Sequence, residues 1–139
     1  MCNVVTVDNV LIDNAIDALL KDNNADSAVT VSILNMYSPL RARKLDKTGY
    51  LEPFVPFESF GDPETLSCDR DSQGDVFFAD MSHSVSRSRA LDDIENGLLP
   101  QKWMGKKIIP IYNSYGCDID LPWQVSASQW WLENTSSNK

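Results

Sequence analysis

Positive charge is scarce in this chain: 12 Lys and Arg stand against 20 Asp and Glu, for a net charge of −8. Affinity for nucleic acid comes mainly from neutralising phosphates with basic side chains, so direct nucleic-acid binding is not expected. Histidine is scarcer still. His83 stands alone, which excludes a two-histidine metal site, and neither G-x-S-x-G nor H-E-x-x-H occurs. Long apolar runs are missing as well. The opening residues, MCNVVTVDNVLIDNAIDALLKDNN, carry no basic leader and no uninterrupted apolar segment, so neither a signal peptide nor a membrane span is expected. Cys2, Cys68 and Cys117 are odd in number and form no C-x-x-C pair. They read as reduced thiols in a cytoplasmic setting, with a Cys68–Cys117 bridge left open because pairing depends on geometry.

What is present describes an ordinary folded chain. At 139 residues, 42% hydrophobic and 23% charged, it is long enough to bury about two thirds of the surface its unfolded form exposes, without help from disulfides or metals. No internal repeat is evident. Residues 1–134 are expected to form one domain, and 135–139 a disordered polar tail.

Between Asp8 and Lys21, apolar Val10, Leu11, Ala15, Ile16, Leu19 and Leu20 lie opposite Asp13, Asn14, Asp17 and Lys21, the spacing of an amphipathic helix. SAVTVSILNMY follows as a strand rich in β-branched residues, with Val29, Val31 and Ile33 on one face. A basic connection runs from Tyr37 to Gly49, and Pro53 and Pro56 mark residues 50–60 as an edge strand or extended loop. An acidic loop over 61–75 leads to a short strand at 76–81. A middle helix is predicted from Val85 to Asn96, capped by Ser82 or Ser84 and stopped by Gly97 and Pro100. KKIIPIYN reads as a strand that Pro110 pushes to an edge, and 123–134 as a short C-terminal helix. Helices and strands mix without βαβ regularity, so the expected class is α+β, a small domain with a mixed or antiparallel sheet.

Three stretches could carry chemistry. In DRDSQGDVFFAD, Asp69, Asp71, Gln73, Gly74 and Asp80 fall at positions 1, 3, 5, 6 and 12 of a twelve-residue frame, with Asp75 at position 7. Calcium loops place oxygen ligands and a turn glycine in this way, and these twelve residues resemble an EF-hand loop. That resemblance would make Asp69, Asp71, Gln73, Asp75 and Asp80 a Ca2+ site. Gln73 is neutral and long, Asp80 is short for a bidentate ligand, and Pro63 leaves no room for an entering helix. An acidic turn before a strand is the simpler account.

In DMSHSVSRSR, His83, Arg87 and Arg89 lie among four serines. A helix start with such side chains could hold a phosphate. On the predicted middle helix, however, these arginines oppose the macrodipole, so they serve something outside that helix or its boundaries differ. All four tryptophans, Trp103, Trp123, Trp130 and Trp131, fall in the last 37 residues with Tyr112 and Tyr115. Four indoles are hard to bury in a chain this small, and neighbours Trp130 and Trp131 cannot share one helical face. Trp103, Tyr115, Trp123, Trp130 and Trp131 are therefore the expected partner contacts.

Taken together, these features favour a small acidic cytoplasmic protein that binds a macromolecule, such as an inhibitor of a basic or nucleic-acid-binding protein. The alternatives are a calcium-binding protein using loop 69–80, and a small enzyme acting on a phosphorylated substrate near His83.

Overall fold

A computed structural model describes residues 4–67, 69, 73–116 and 118–135. The chain is a mixed α+β protein with an N-terminal, a middle and a C-terminal helix. It divides into two compact units, Met1–Ser32 with Ala79–Lys139, and Ile33–Phe78. Cys2, Cys68, Cys117, Asp71 and residues 136–139 lie outside the described residues.

In the larger unit the first element is helix α1, Asn9–Lys21, capped by Asp8, whose carboxylate accepts the Leu11 N–H at 2.9 Å. The helix ends at Asp22, whose own N–H still bonds the Ala18 carbonyl. Strand β1, Ser27–Ile33, follows and lies in the centre of a three-stranded sheet, between β4, Phe77–Ser86, and β5, Ile108–Tyr112. β5, Ile108–Tyr112, pairs with it in parallel, Ala28 opposite Ile109 and Thr30 opposite Ile111. Pro110 lacks an N–H, and β5 occupies a sheet edge, where that loss is tolerated.

β4 covers Phe77–Ser86. It runs antiparallel to β1: the Leu34 N–H meets the Val76 carbonyl near one end, and the Arg87 N–H meets the Asp26 carbonyl near the other. Eleven steps from Val76 to Arg87 run beside eight from Asp26 to Leu34, so β4 accommodates surplus residues as a bulge. Side-chain groups replace ladder bonds where it bulges. The His83 N–H bonds the Thr30 hydroxyl, and the Ser82 N–H bonds the Asp80 carboxylate.

The middle helix is consequently shorter than the sequence suggests. α2 spans only Ser88–Asp92, followed by a 3-10 turn at Ile94–Asn96. The serines at 82, 84 and 86 alternate along a strand; they do not cap a helix. The C-terminal helix α3 covers Pro122–Thr135, so Thr135 is its last residue.

Ala15 and Leu19 of α1 pack with Ala25, Ala28 and Ile111, and Leu11, Ala18, Val85 and Ile109 close the cluster. The alanines at 15, 18, 25 and 28 are small, which lets α1 approach the sheet closely. Along the same face of β1, Ala28 gives way to Thr30 and Ser32, both buried. The sheet face is thus apolar under α1 and polar beyond it.

The smaller unit is built on a hairpin. β2, Arg43–Leu45, pairs antiparallel with β3, Leu51–Pro53. Asp46 organises the turn by accepting the Thr48 and Tyr50 N–H groups, each at 2.8 Å. The Thr48 hydroxyl, and then those N–H groups, hold its carboxyl below the usual aspartate range. Gly49 takes the left-handed conformation there, with φ +92°. Two 3-10 turns follow, Phe57–Phe60 and Pro63–Thr65.

Candidate functional site

Asp80 is the hub of a polar cluster in the larger unit. Its Oδ1 accepts the Thr30 hydroxyl at 2.7 Å and the Ser82 N–H at 3.0 Å, and its Oδ2 accepts the Ser32 hydroxyl at 2.8 Å. Ser32 Oγ in turn accepts the Gly116 N–H. Asn113 Nδ2 donates to Ser82 Oγ, which also meets the Thr6 hydroxyl. The cluster unites both neighbours of β1 with the N-terminal segment. Only glycine fits at 116, because a Cβ there would sit 2.2 Å from Asp80 Cγ.

This engagement bears on the calcium frame. Both Asp80 oxygens are already bonded to donors of the protein. In the smaller unit, Asp69, Gln73 and Asp75 are exposed, and Asp75 Oδ1 accepts from Asn35 Nδ2 at 3.2 Å. Asp71 lies outside the described residues. Among the described residues, no three His, Cys, Asp or Glu side chains gather as a metal site would need.

Arg87 and Arg89 work on the end of α1. The Arg87 guanidinium donates to the carbonyls of Leu19 and Ala25, and reaches the Asp22 carbonyl at 3.5 Å. Arg89 donates to the carbonyls of Asn23 and Ala25 and to Asp26 Oδ1. Carbonyls at a helix C-terminus have no partner within the helix and carry partial negative charge, so Arg87 stabilises the end of α1 at Leu19, while Arg89 fastens the loop that follows it. This resolves the apparent conflict with the macrodipole: the arginines serve a different helix from the one beside them in sequence.

Asp26 completes the arrangement by accepting the Lys106 and Lys107 N–H groups at 2.9 and 3.0 Å. Those bonds, and then Arg89, hold its carboxyl below the usual range. His83 is apart from both arginines in hydrogen bonding. Its Nε2 is buried with no partner among the described residues, and burial pushes its pKa down.

The aromatic residues divide sharply. Trp103, Tyr115 and Trp131 are half-buried, and Trp131 stacks on Tyr115 with centroids 5.8 Å apart. Trp123 and Trp130 are each 64% exposed. They lie seven residues apart on α3, hence on one face.

A stripe roughly a third of a turn round α3 from them, Gln124, Ser128, Trp131 and Thr135, turns inward. Ser128 is 2% exposed, and its Oγ has no partner among the described residues. α3 therefore reverses the usual arrangement, since three polar residues face in while two tryptophans and Val125 face out. A groove of about 570 Å³ borders this helix, between Val7, Leu11, Tyr112, Asn113, Trp131 and Leu132.

The charge near α3 has one sign. From Ile108 to Asn138 there is no Lys or Arg, whereas Asp118 and Asp120 precede the helix and Glu133 lies in its last turn. Lys102 pairs with Glu95 at 2.7 Å. Of the expected contacts, Trp123 and Trp130 are exposed, whereas Trp103, Tyr115 and Trp131 are half-buried. The sequence holds no Lys or Arg between Lys107 and Lys139, which was the available signal for an acidic setting.

The fold and this surface define the protein's class: an α+β protein with an aromatic, acid-flanked helix exposed. No protein-family model matches the chain, and no curated protein matches it either. No helix among the described residues is long and apolar enough to cross a membrane.

Proposed function

We propose that this protein acts by binding another protein through the outer face of α3, with Trp123 and Trp130 as anchors. The observation that carries this reading is the reversed helix. Two indoles in water forgo the apolar burial that aromatic residues ordinarily supply, and on a docking surface such residues dominate binding energy. Each buries on the order of 100 Å² or more when covered, which at about 25 cal/mol per Å² is worth roughly 2–3 kcal/mol.

The partner presents an apolar groove with a basic rim. Asp118, Asp120 and Glu133 supply the complementary charge, and the net charge of −8 favours encounter with a cationic surface. Inhibition of a basic or nucleic-acid-binding protein is the biological role that fits this chemistry best. An acidic surface laid over the phosphate-binding face would compete directly with nucleic acid.

The test uses immobilised protein and an extract of the native source, with retained proteins identified. A basic protein should be retained at low salt and lost from the Trp123→Ala/Trp130→Ala double variant. It should also be weakened about tenfold or more between 50 and 300 mM salt. Equal retention by the double variant, or retention insensitive to salt, would refute the reading.

A further inference from the structure

The smaller unit contains a second cleft, of about 400 Å³, and its chemistry is opposite to that of α3. Leu40, Phe57, Pro63 and Leu66 form apolar walls, and Arg41 and Arg43 border them. Small-molecule sites are typically of this size and kind, mostly apolar with a few placed polar groups. The Arg43 guanidinium lies 5.1 Å from the Phe57 ring centroid, and its Nη1 donates to the carbonyls of Leu40 and Ala42 at 2.9 and 3.0 Å. The ring and the two carbonyls fix the position of its charge. Its Nε and Nη2 have no partner among the described residues, and neither has the Arg41 guanidinium.

Two guanidiniums whose remaining donors meet no described residue, beside an apolar cleft, are matched by an oxyanion on an apolar body. The charge must also be modest. Glu58, Asp62 and Glu64 lie on or beside the two 3-10 turns that supply Phe57 and Pro63, so a dianion would meet considerable repulsion.

We infer that this cleft binds a small monocarboxylate with an apolar body, the carboxylate received by Arg41 and Arg43 and the body seated between Leu40, Phe57, Pro63 and Leu66. This site is independent of α3 and holds whether or not that helix docks a protein.

The probe is octanoate, followed by two-dimensional amide NMR of the full chain. Saturable shifts are expected at 40–43 and 57–66, with Arg43→Gln and Arg41→Gln each weakening binding at least tenfold while the remaining spectrum stays dispersed. Phe57→Leu keeps both charges but removes the ring beneath Arg43, and should weaken binding several-fold. Octanol should bind at least tenfold more weakly than octanoate. No saturable shift with octanoate, equal affinity for octanol, or inorganic phosphate binding as tightly as octanoate would overturn the inference.

Discussion

Replacing Ser128 with alanine should make the protein more stable, although serine is replaced in a buried position. The Ser128 hydroxyl is 2% exposed as a residue, and its oxygen has no partner among the described residues. Burying an unpaired hydroxyl costs about 1–3 kcal/mol, which the substitution recovers. Alanine also favours a helix over serine by about 0.5 kcal/mol, while the oxygen's lost packing takes back a similar amount. The net expectation is a gain of about 1–3 kcal/mol. With a urea dependence of about 2 kcal/mol per M, the unfolding midpoint rises by about 0.5–1.5 M.

Two companions fix the orientation of α3. Trp130→Ala should change stability by less than about 0.5 kcal/mol, because the residue is mostly in water. Trp131→Ala should cost about 2–3 kcal/mol through loss of the half-buried ring stacked on Tyr115. The assay is urea unfolding followed by circular dichroism. If Ser128→Ala destabilised by 1 kcal/mol or more, or if Trp130→Ala cost as much as Trp131→Ala, the helix would not be seated as described.

The other expectations concern the polar groups. Asp80→Ala strands the Ser82 N–H and leaves the Thr30 and Ser32 hydroxyls only the His83 and Asn113 carbonyls, and should cost about 1–3 kcal/mol in urea unfolding; a loss below 0.5 kcal/mol would mean the cluster is not a hub. Asp26 has a folded-state pKa below its ordinary 3.8, so its stabilising effect is complete above that pH and disappears as pH falls through the lower folded value. Asp26→Asn should therefore lower Tm at pH 6, by an amount that shrinks below pH 3.8; a constant difference down to pH 2 would contradict the assignment. For His83, burial depresses the pKa below 6.5. The unfolded chain then takes up a proton that the folded one refuses, and stability declines as pH falls from 6.5 toward the folded value. Proton NMR of the single imidazole should give a midpoint below 6.5, and a midpoint above it would show that the ring is not desolvated.

Much of the architecture was legible because local pattern and tertiary context agreed. α1 announced itself through apolar spacing from Asp8 to Lys21, and Pro110 correctly implied an edge strand. Where a residue's partner lies far along the chain, sequence was less informative. Arg87 and Arg89 looked like a phosphate grip because their carbonyl partners, Leu19 to Ala25, lie more than 60 residues away. The bulge in β4 hid for a similar reason: the Thr30 hydroxyl and the Asp80 carboxylate complete its hydrogen bonding, and no local propensity encodes them. Alternating serines then resembled helix caps. On α3, the adjacent tryptophans signalled that one must face outward, but which one depended on Tyr115 receiving Trp131.

The central claim is that Trp123 and Trp130 are exposed in the free protein and covered in its complex. Fluorine NMR of protein labelled with 5-fluorotryptophan, with a soluble gadolinium chelate present, tests it directly. In the free protein, two of four resonances should broaden strongly, assigned to Trp123 and Trp130 by their loss in the corresponding phenylalanine variants. Both should become protected when the basic partner is added. Equal protection of all four in the free protein, or continued broadening of those two in the complex, would contradict the account.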